Sequence, residues 1–326
     1  MFFSASRHRG PVSDHFDGRR FRNFTGQPHG FGGVLRWAAT RKPAPWRRWT
    51  DAPPGPAPPR RAADLRVTFV NHATVLIQTA GKNILTDPVW SERVSPLSWA
   101  GPRRVRPPGI RFEDLPQIDA VVISHNHYDH LDLETLGRLE ARDHPWIVTG
   151  LGVRELLIRH GLANGVDLDW WESTDLGGAF SITSVPVQHF SGRGLSDRNA
   201  TLWTGYVISS SAGDVFFAGD TGYGPHFREI GTRFPRLRLA ILPIGAYRPE
   251  WFMGPVHETP AQALQAFRDL NAATGVGMHF GTFRLTDEGE EEPAQEIAAL
   301  LAAAPRPEPR FWVLGFGEGR DVPPLA

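Results

Sequence analysis

The chain contains no cysteine. Disulfide bonds and thiolate metal sites are therefore excluded, and any bound metal has to be held by His, Asp or Glu. No apolar run approaches the ~20 residues of a membrane-spanning helix. The first residues, MFFSASRHRG, lack the apolar stretch of a signal peptide. The expectation is a cytoplasmic protein. Net charge is also missing, since 35 basic residues face 35 acidic ones. The body carries no interleaved aromatic and basic surface motif, so a nucleic-acid partner is not expected.

The charge that is present is unevenly placed. Residues 1–61 carry twelve Arg and Lys against Asp14, Asp17 and Asp51, a surplus of nine, and the rest of the chain carries the opposite surplus. In this arm Phe31, Val34, Leu35, Trp37, Trp46 and Trp49 interleave with Arg36, Arg41, Lys42, Arg47 and Arg48. Such a segment suits peripheral contact with an anionic membrane surface. It equally suits wrapping an acidic body. With 40% apolar and 21% charged residues, the 326-residue chain has the make-up of a globular protein with a large core.

Residues 1–63 are rich in Pro, Gly and Arg without a sustained period, and read as an irregular arm with an extended linker at 43–59. Regular structure is expected over 64–326. Short apolar runs at 66–70, 75–79 and 83–87 read as a strand meander, and 119–124 as a buried strand. Helical spacing follows at 131–141, a strand at 146–150, and a helix closed by Gly161. Strands are expected again at 180–188, 204–210, 214–220, 237–245, 275–281 and 311–317. Helices are expected at 259–272, with Thr259 as N-cap and Pro260 at the first helical position, and at 294–303. This order suggests two sheets packed face to face with helices outside.

The chemistry concentrates in SHNHYDHLD, 124–132, directly after the buried strand. His125, His127, Asp129 and His130 splay around one point, His125 and His127 suited to one metal, Asp129 and His130 to a second. Unpaired, such a cluster is costly to bury. His189, Asp220 and His279 close three other apolar strands, where a sheet presents groups to a crevice. A carboxylate such as Asp220 can bridge two metals. Imidazole and carboxylate ligands suit zinc foremost, with iron or manganese also accommodated. His72, His144, His160 and His226 lack a partner pattern and read as structural.

The pattern H-x-H-x-D-H followed by His, Asp and His at strand ends resembles the metallo-β-lactamase superfamily. The resemblance implies an α/β fold, the αββα sandwich. It implies His125, His127 and His189 on one metal, Asp129, His130 and His279 on another, and Asp220 bridging. The segments 15–23, 71–96, 188–203, 242–260 and 278–283 further resemble the N-acyl-phosphatidylethanolamine-hydrolysing phospholipase D-like family and its bacterial members, with Asn71 standing where that family usually has Gly. The implied activity is hydrolysis of a phospholipid or related phosphodiester by water activated between two divalent cations. A lactonase or other ester hydrolase of the superfamily, or a catalytically silent metal-binding scaffold, would carry the same ligands.

Asp87 is expected either to support a metal-binding histidine from behind, as the resemblance implies, or to serve the turn before Pro88. Asp129 belongs to the catalytic set as well as to the metal set. The resemblance gives His257 contact with substrate or leaving group. Arg193, Asp197 and Asn199, beside His189, suit either a phosphate or the holding of their own loop. Trp251, Phe252 and Met253 suit an acyl-chain groove or ordinary core.

Overall fold

A computed structural model describes residues 6–178, 180–194, 196–306 and 309–325. In chain order the elements are α1 (Phe31–Thr40), β1 (Arg66–Asn71), β2 (Thr74–Thr79), β3 (Lys82–Thr86), β4 (Ala120–Ile123), α2 (Leu133–Asp143), β5 (Trp146–Gly150), α3 (Arg154–Arg159), β6 (Gly165–Leu168), β7 (Ser173–Asp175), β8 (Ser181–Val185), β9 (Gly205–Ser210), β10 (Gly213–Phe217), α4 (His226–Arg233), β11 (Leu237–Pro243), α5 (Glu250–Met253), α6 (Pro260–Asp269), β12 (Gly275–Met278), α7 (Glu292–Ala302), β13 (Phe311–Trp312) and β14 (Gly319–Asp321). None of the described helices is long and apolar enough to cross a membrane.

The strands form two seven-stranded sheets, ordered β14-β1-β2-β3-β4-β5-β6 and β13-β12-β11-β10-β9-β8-β7. Each combines an antiparallel part with a parallel one: β1, β2 and β3 alternate before β3 to β6 run parallel, and β7 to β10 alternate before β10 to β13 run parallel. Within a parallel sheet covered on both faces, successive residues of a strand face two apolar environments. β4 shows this directly. Ala120 and Val122 join the core between the sheets, whereas Val121 and Ile123 join a second cluster with Leu136 and Leu139 of α2 and Leu156 and Leu157 of α3. Helix α6 packs on β11 and against α4 and α7, covering the other sheet. This is the expected αββα sandwich.

Local chemistry fixes the helix starts. The Asp132 side chain accepts from the N–H groups of Glu134 and Thr135 at the head of α2. Thr259 and Gln262 form a reciprocal capping box at α6, with Pro260 at its first position. Six elements escape the sequence pattern: α1, α4, α5, β6, β7 and β14. The strands are short and partly polar, and β14 forms only by pairing with β1 from the far end of the chain. α1 buries no residue. It is held by Trp37 stacked on Phe252 of α5, ring centroids 5.2 Å apart, and by Arg36 over Trp251.

The arm lies along the body. Phe16 and Phe21 pair with each other and are buried in the core between the sheets. Further on, Arg41 pairs with Asp287, Arg47 with Glu291 and Arg61 with Asp119. Part of its positive surplus is thus spent on the acidic body.

Candidate metal centre

Because β1, β3 and β4 run the same way, as do β8, β10 and β12, their C-terminal ends share one edge of the sandwich. His72 follows β1, Asp87 follows β3, and Ser124 to His130 follow β4. His189, Asp220 and His279 follow β8, β10 and β12, and His257 precedes α6. The chain turns sharply there: His72, Asp87 and His279 take left-handed backbone angles, φ 47°, 33° and 64°. Each such residue costs about 1–3 kcal/mol and persists where the surroundings enforce it. Gly219 (φ 60°) lets the Asp220 loop lie against Ser124; a Cβ there would come within 2.4 Å of the Ser124 Cβ.

The side chains converge. His125 Nε2 lies 2.7 Å from His127 Nδ1, and His189 Nε2 lies 3.4 Å from the same atom. His130 Nε2 stands 3.2 Å from Asp220 Oδ2 and 3.4 Å from Asp129 Oδ2. His279 Nε2 stands 3.1 Å from Asp220 Oδ1 and 3.6 Å from Asp129 Oδ2. His189 Nε2 reaches to 3.7 Å of Asp220 Oδ2. Asp220 therefore lies between an all-histidine group and a group containing Asp129. Among the described residues, four overlapping sets have ligand atoms close enough to hold a cation: His125, His127 and His189; His72, Asp129, His130 and His279; His125, His130 and Asp220; His189, Asp220 and His257.

Three of these histidines have a partner on the ring nitrogen that faces away from the centre. His130 Nδ1 meets Asp87 Oδ2 at 2.6 Å, His125 Nδ1 meets the Ser124 hydroxyl at 3.0 Å, and His189 Nδ1 meets the Val256 carbonyl at 2.9 Å. With those nitrogens engaged, each Nε2 is left for the centre, which is how outer hydrogen bonds orient metal-binding histidines. Imidazole nitrogens 2.7–3.4 Å apart, together with an Asp220 Oδ1 that lies 3.1 Å from His279 Nε2 but has no hydrogen bond of good geometry among the described residues, fit cations better than they fit one another.

Charge supports the same assignment. Burial pushes the His125 ring well below its ordinary pKa, His127 to about 3 and His189 to about 4, so all three are neutral at pH 7. Burial opposes ionisation of Asp129 and Asp220, but the neighbouring histidines, His130 foremost with His279, together outweigh it and hold both well below the usual carboxylate range. The same attraction reverses the effect of burial on His130, which goes well above its ordinary value, and on His279, raised to about 9 mainly by Asp220. The two buried carboxylates thus demand positive charge, and divalent cations would supply it while displacing protons from the histidines.

Asp87 stands behind His130, in hydrogen-bond contact with its Nδ1. His257 is buried, with Nε2 3.9 Å from Asp220 Oδ2 and its ring against that of His189. Asp197 holds its own loop, while Arg193 and Asn199 tie that loop to the 124–132 segment and to the arm. The Arg193 guanidinium donates to the carbonyls of Asn126 and Leu131, Asp197 accepts from the N–H groups of Arg193 and Gly194, and Asn199 donates to the Phe21 carbonyl. Trp251, Phe252 and Met253 form most of α5, whose Met253 carbonyl accepts the His257 N–H, and Trp251 remains 37% exposed.

His72 is in the centre, although its sequence context reads as structural. Its Nε2 lies 3.0 Å from Asp129 Oδ2. The available signal is strand parity: β1 runs with β3 and β4, so the turn after it must reach the edge where His125 sits.

The β-lactamase superfamily domain matches residues 82–280. An N-acyl-phosphatidylethanolamine-hydrolyzing phospholipase D of Caenorhabditis elegans is 38% identical over 251 residues, covering 73% of this chain and 70% of that protein. The mitochondrial protein of the same description from Saccharomyces cerevisiae is 35% identical over 68% of this chain, which spans about half of it (48%). The isothiocyanate hydrolase from Delia radicum gut bacteria shares the fold, with a TM-score of 0.63, 23% identity, and coverage of 78% of this chain and 98% of that one.

Proposed function

This chain belongs to the β-lactamase superfamily and is a metal-dependent hydrolase, and from that premise we propose that it is a phospholipase D-like phosphodiesterase working with two divalent cations, zinc foremost. The observation that carries this reading is the position of Asp220, whose two oxygens face His130 and His279 while its Oδ2 also faces His189. One cation would be held by His125, His127 and His189, the other by Asp129, His130 and His279, with Asp220 shared. Bound there, the cations supply Lewis acidity, bringing the pKa of water toward ~7 and neutralising charge on a phosphoryl oxygen.

The protein's own groups do the rest. Ionised Asp129 and Asp220 fix the charge of the centre, and His72 and Asp87 hold Asp129 and His130 in place. Burial keeps His257 neutral. Its place beside Asp220 and His189 suits it to relay a proton from the attacking water to the leaving oxygen. In the proposed reaction the water oxygen bonds to phosphorus, and the bond from phosphorus to the alcohol oxygen of the N-acylethanolamine breaks. That oxygen takes up the proton, leaving a phosphatidate. Trp251, Phe252 and Met253 stand beside His257 as the wall for an acyl chain. Phe31 and Leu35 on neighbouring α1, 76% and 54% exposed, suit shallow contact with a lipid surface.

The test is hydrolysis of N-acyl-phosphatidylethanolamine, other phosphodiester lipids and lactones by metal-loaded and stripped protein. Metal-dependent release of N-acylethanolamine is the expected result. Turnover of lactones alone would move the chain to another activity of the same superfamily.

A further inference from the structure

His189 lies four residues beyond the end of β8, and among the described residues the pairing of β8 with its neighbour stops at Val185. Its N–H and C=O are instead both taken by the side chain of Asn23, from the arm. Asn23 Oδ1 accepts the His189 N–H at 3.1 Å, and Asn23 Nδ2 donates to the His189 carbonyl at 2.9 Å. The remaining capacity of the amide is also used: Oδ1 accepts from Trp203 Nε1 at 2.9 Å and Nδ2 donates to the Gly26 carbonyl at 2.9 Å. Asn23 is buried. The two N–H donors on one side and two carbonyls on the other fix which way the amide faces, and no side chain but a primary amide offers two donors and an acceptor oxygen in this arrangement.

The same turn of the arm also grips the preceding residue. Thr25 donates to Gln188 Oε1, and Gln188 Nε2 donates to the Pro255 carbonyl at 2.8 Å. The His189 ring is aligned separately, by Val256. His189 is thus set from two sides, its ring by the segment before His257 and its backbone by the arm.

We propose that Asn23 is a positioning residue for the metal ligand His189, so that the arm completes the metal centre rather than merely covering the body. The inference rests on the metal-dependent reading above. Loss of Asn23 leaves the His189 backbone groups buried and unpaired, and Nε2 loses its fixed place relative to Asp220. Outer partners of metal-binding histidines are worth about 10–100-fold in metal affinity.

The experiment compares full-length wild type with Asn23→Ala and Asn23→Asp, each stripped and reloaded with Zn²⁺ or Co²⁺. It reads chelator competition, the visible spectrum of the cobalt form and thermal unfolding of the stripped protein. Wild type is expected to bind two ions. Asn23→Ala is expected to hold one of them about 10–100-fold more weakly, with altered cobalt bands, while the other ion binds as in wild type. Asn23→Asp keeps the shape and the acceptor oxygen but cannot donate to the His189 carbonyl. It should show the same selective loss, and it is the variant to read if Asn23→Ala does not fold. A folded variant with wild-type affinity for both ions and an unchanged cobalt spectrum overturns the inference and leaves the hydrolase reading intact. A wild-type chain that binds no metal overturns both.

Discussion

Asp87 meets His130 Nδ1 at 2.6 Å and also accepts the Ser124 N–H at 2.7 Å and the Ser124 hydroxyl at 2.6 Å, all in fully buried surroundings. One carboxylate from the end of β3 thereby fixes both ends of the segment that carries His125, His127, Asp129 and His130. Asp87→Asn keeps the volume but replaces an acceptor oxygen by a donor. Metal affinity should fall about 10–100-fold, read by chelator competition on folded protein. Affinity equal to wild type would mean that Asp87 serves only its turn.

His257 separates substrate chemistry from metal holding. If it moves a proton, His257→Ala should keep its metal content while turnover falls about 10²–10⁴-fold. Loss of a metal ion from this variant would instead make it a ligand alongside His189 and Asp220, a place its distance to Asp220 also allows.

The attachment of the arm should depend on pH through His15. Its ring lies between Asp14 and Asp169, at 2.6 and 2.8 Å, and stacks on Trp170. Burial alone would lower its pKa, but the bonds to Asp169 and Asp14 outweigh that and raise it above 6.5. A raised histidine stabilises the folded form fully below its unfolded pKa, and the gain is lost as pH rises through the folded value. Asp169, held below its ordinary value against burial by the bond to His15, loses its share as pH falls through its own folded value. Thermal unfolding should therefore show the largest difference between wild type and Asp169→Asn between those two values, shrinking on the alkaline side. A difference that grows with alkalinity would contradict this.

Much of the centre is legible in the sequence because its ligands come in forms that sequence displays: a dense run after a β-branched strand, and single polar residues closing apolar ones. The two sheets follow from the same strands. What escapes depends on contacts between distant segments. His72 sits in an ordinary turn, and only the run of β1 relative to β4 brings it to Asp129. Asn23 is one asparagine in an arm without periodicity, and its role exists only where that arm meets His189. Helix α1 has no buried face to leave a pattern and is held by aromatic contacts with α5. Arg193 has the charge a phosphate wants, and only the fold shows that its Nη1 donates to two backbone carbonyls.

The most direct test of the central claim is metal content and hydrolysis measured together on wild type and Asp220→Ala. Wild type should hold close to two divalent ions per chain and cleave a phosphodiester lipid only when loaded, and Asp220→Ala should lose metal and activity together. Full hydrolytic activity in thoroughly stripped wild type, or an Asp220→Ala variant that retains both ions and its turnover, would contradict the shared-carboxylate centre.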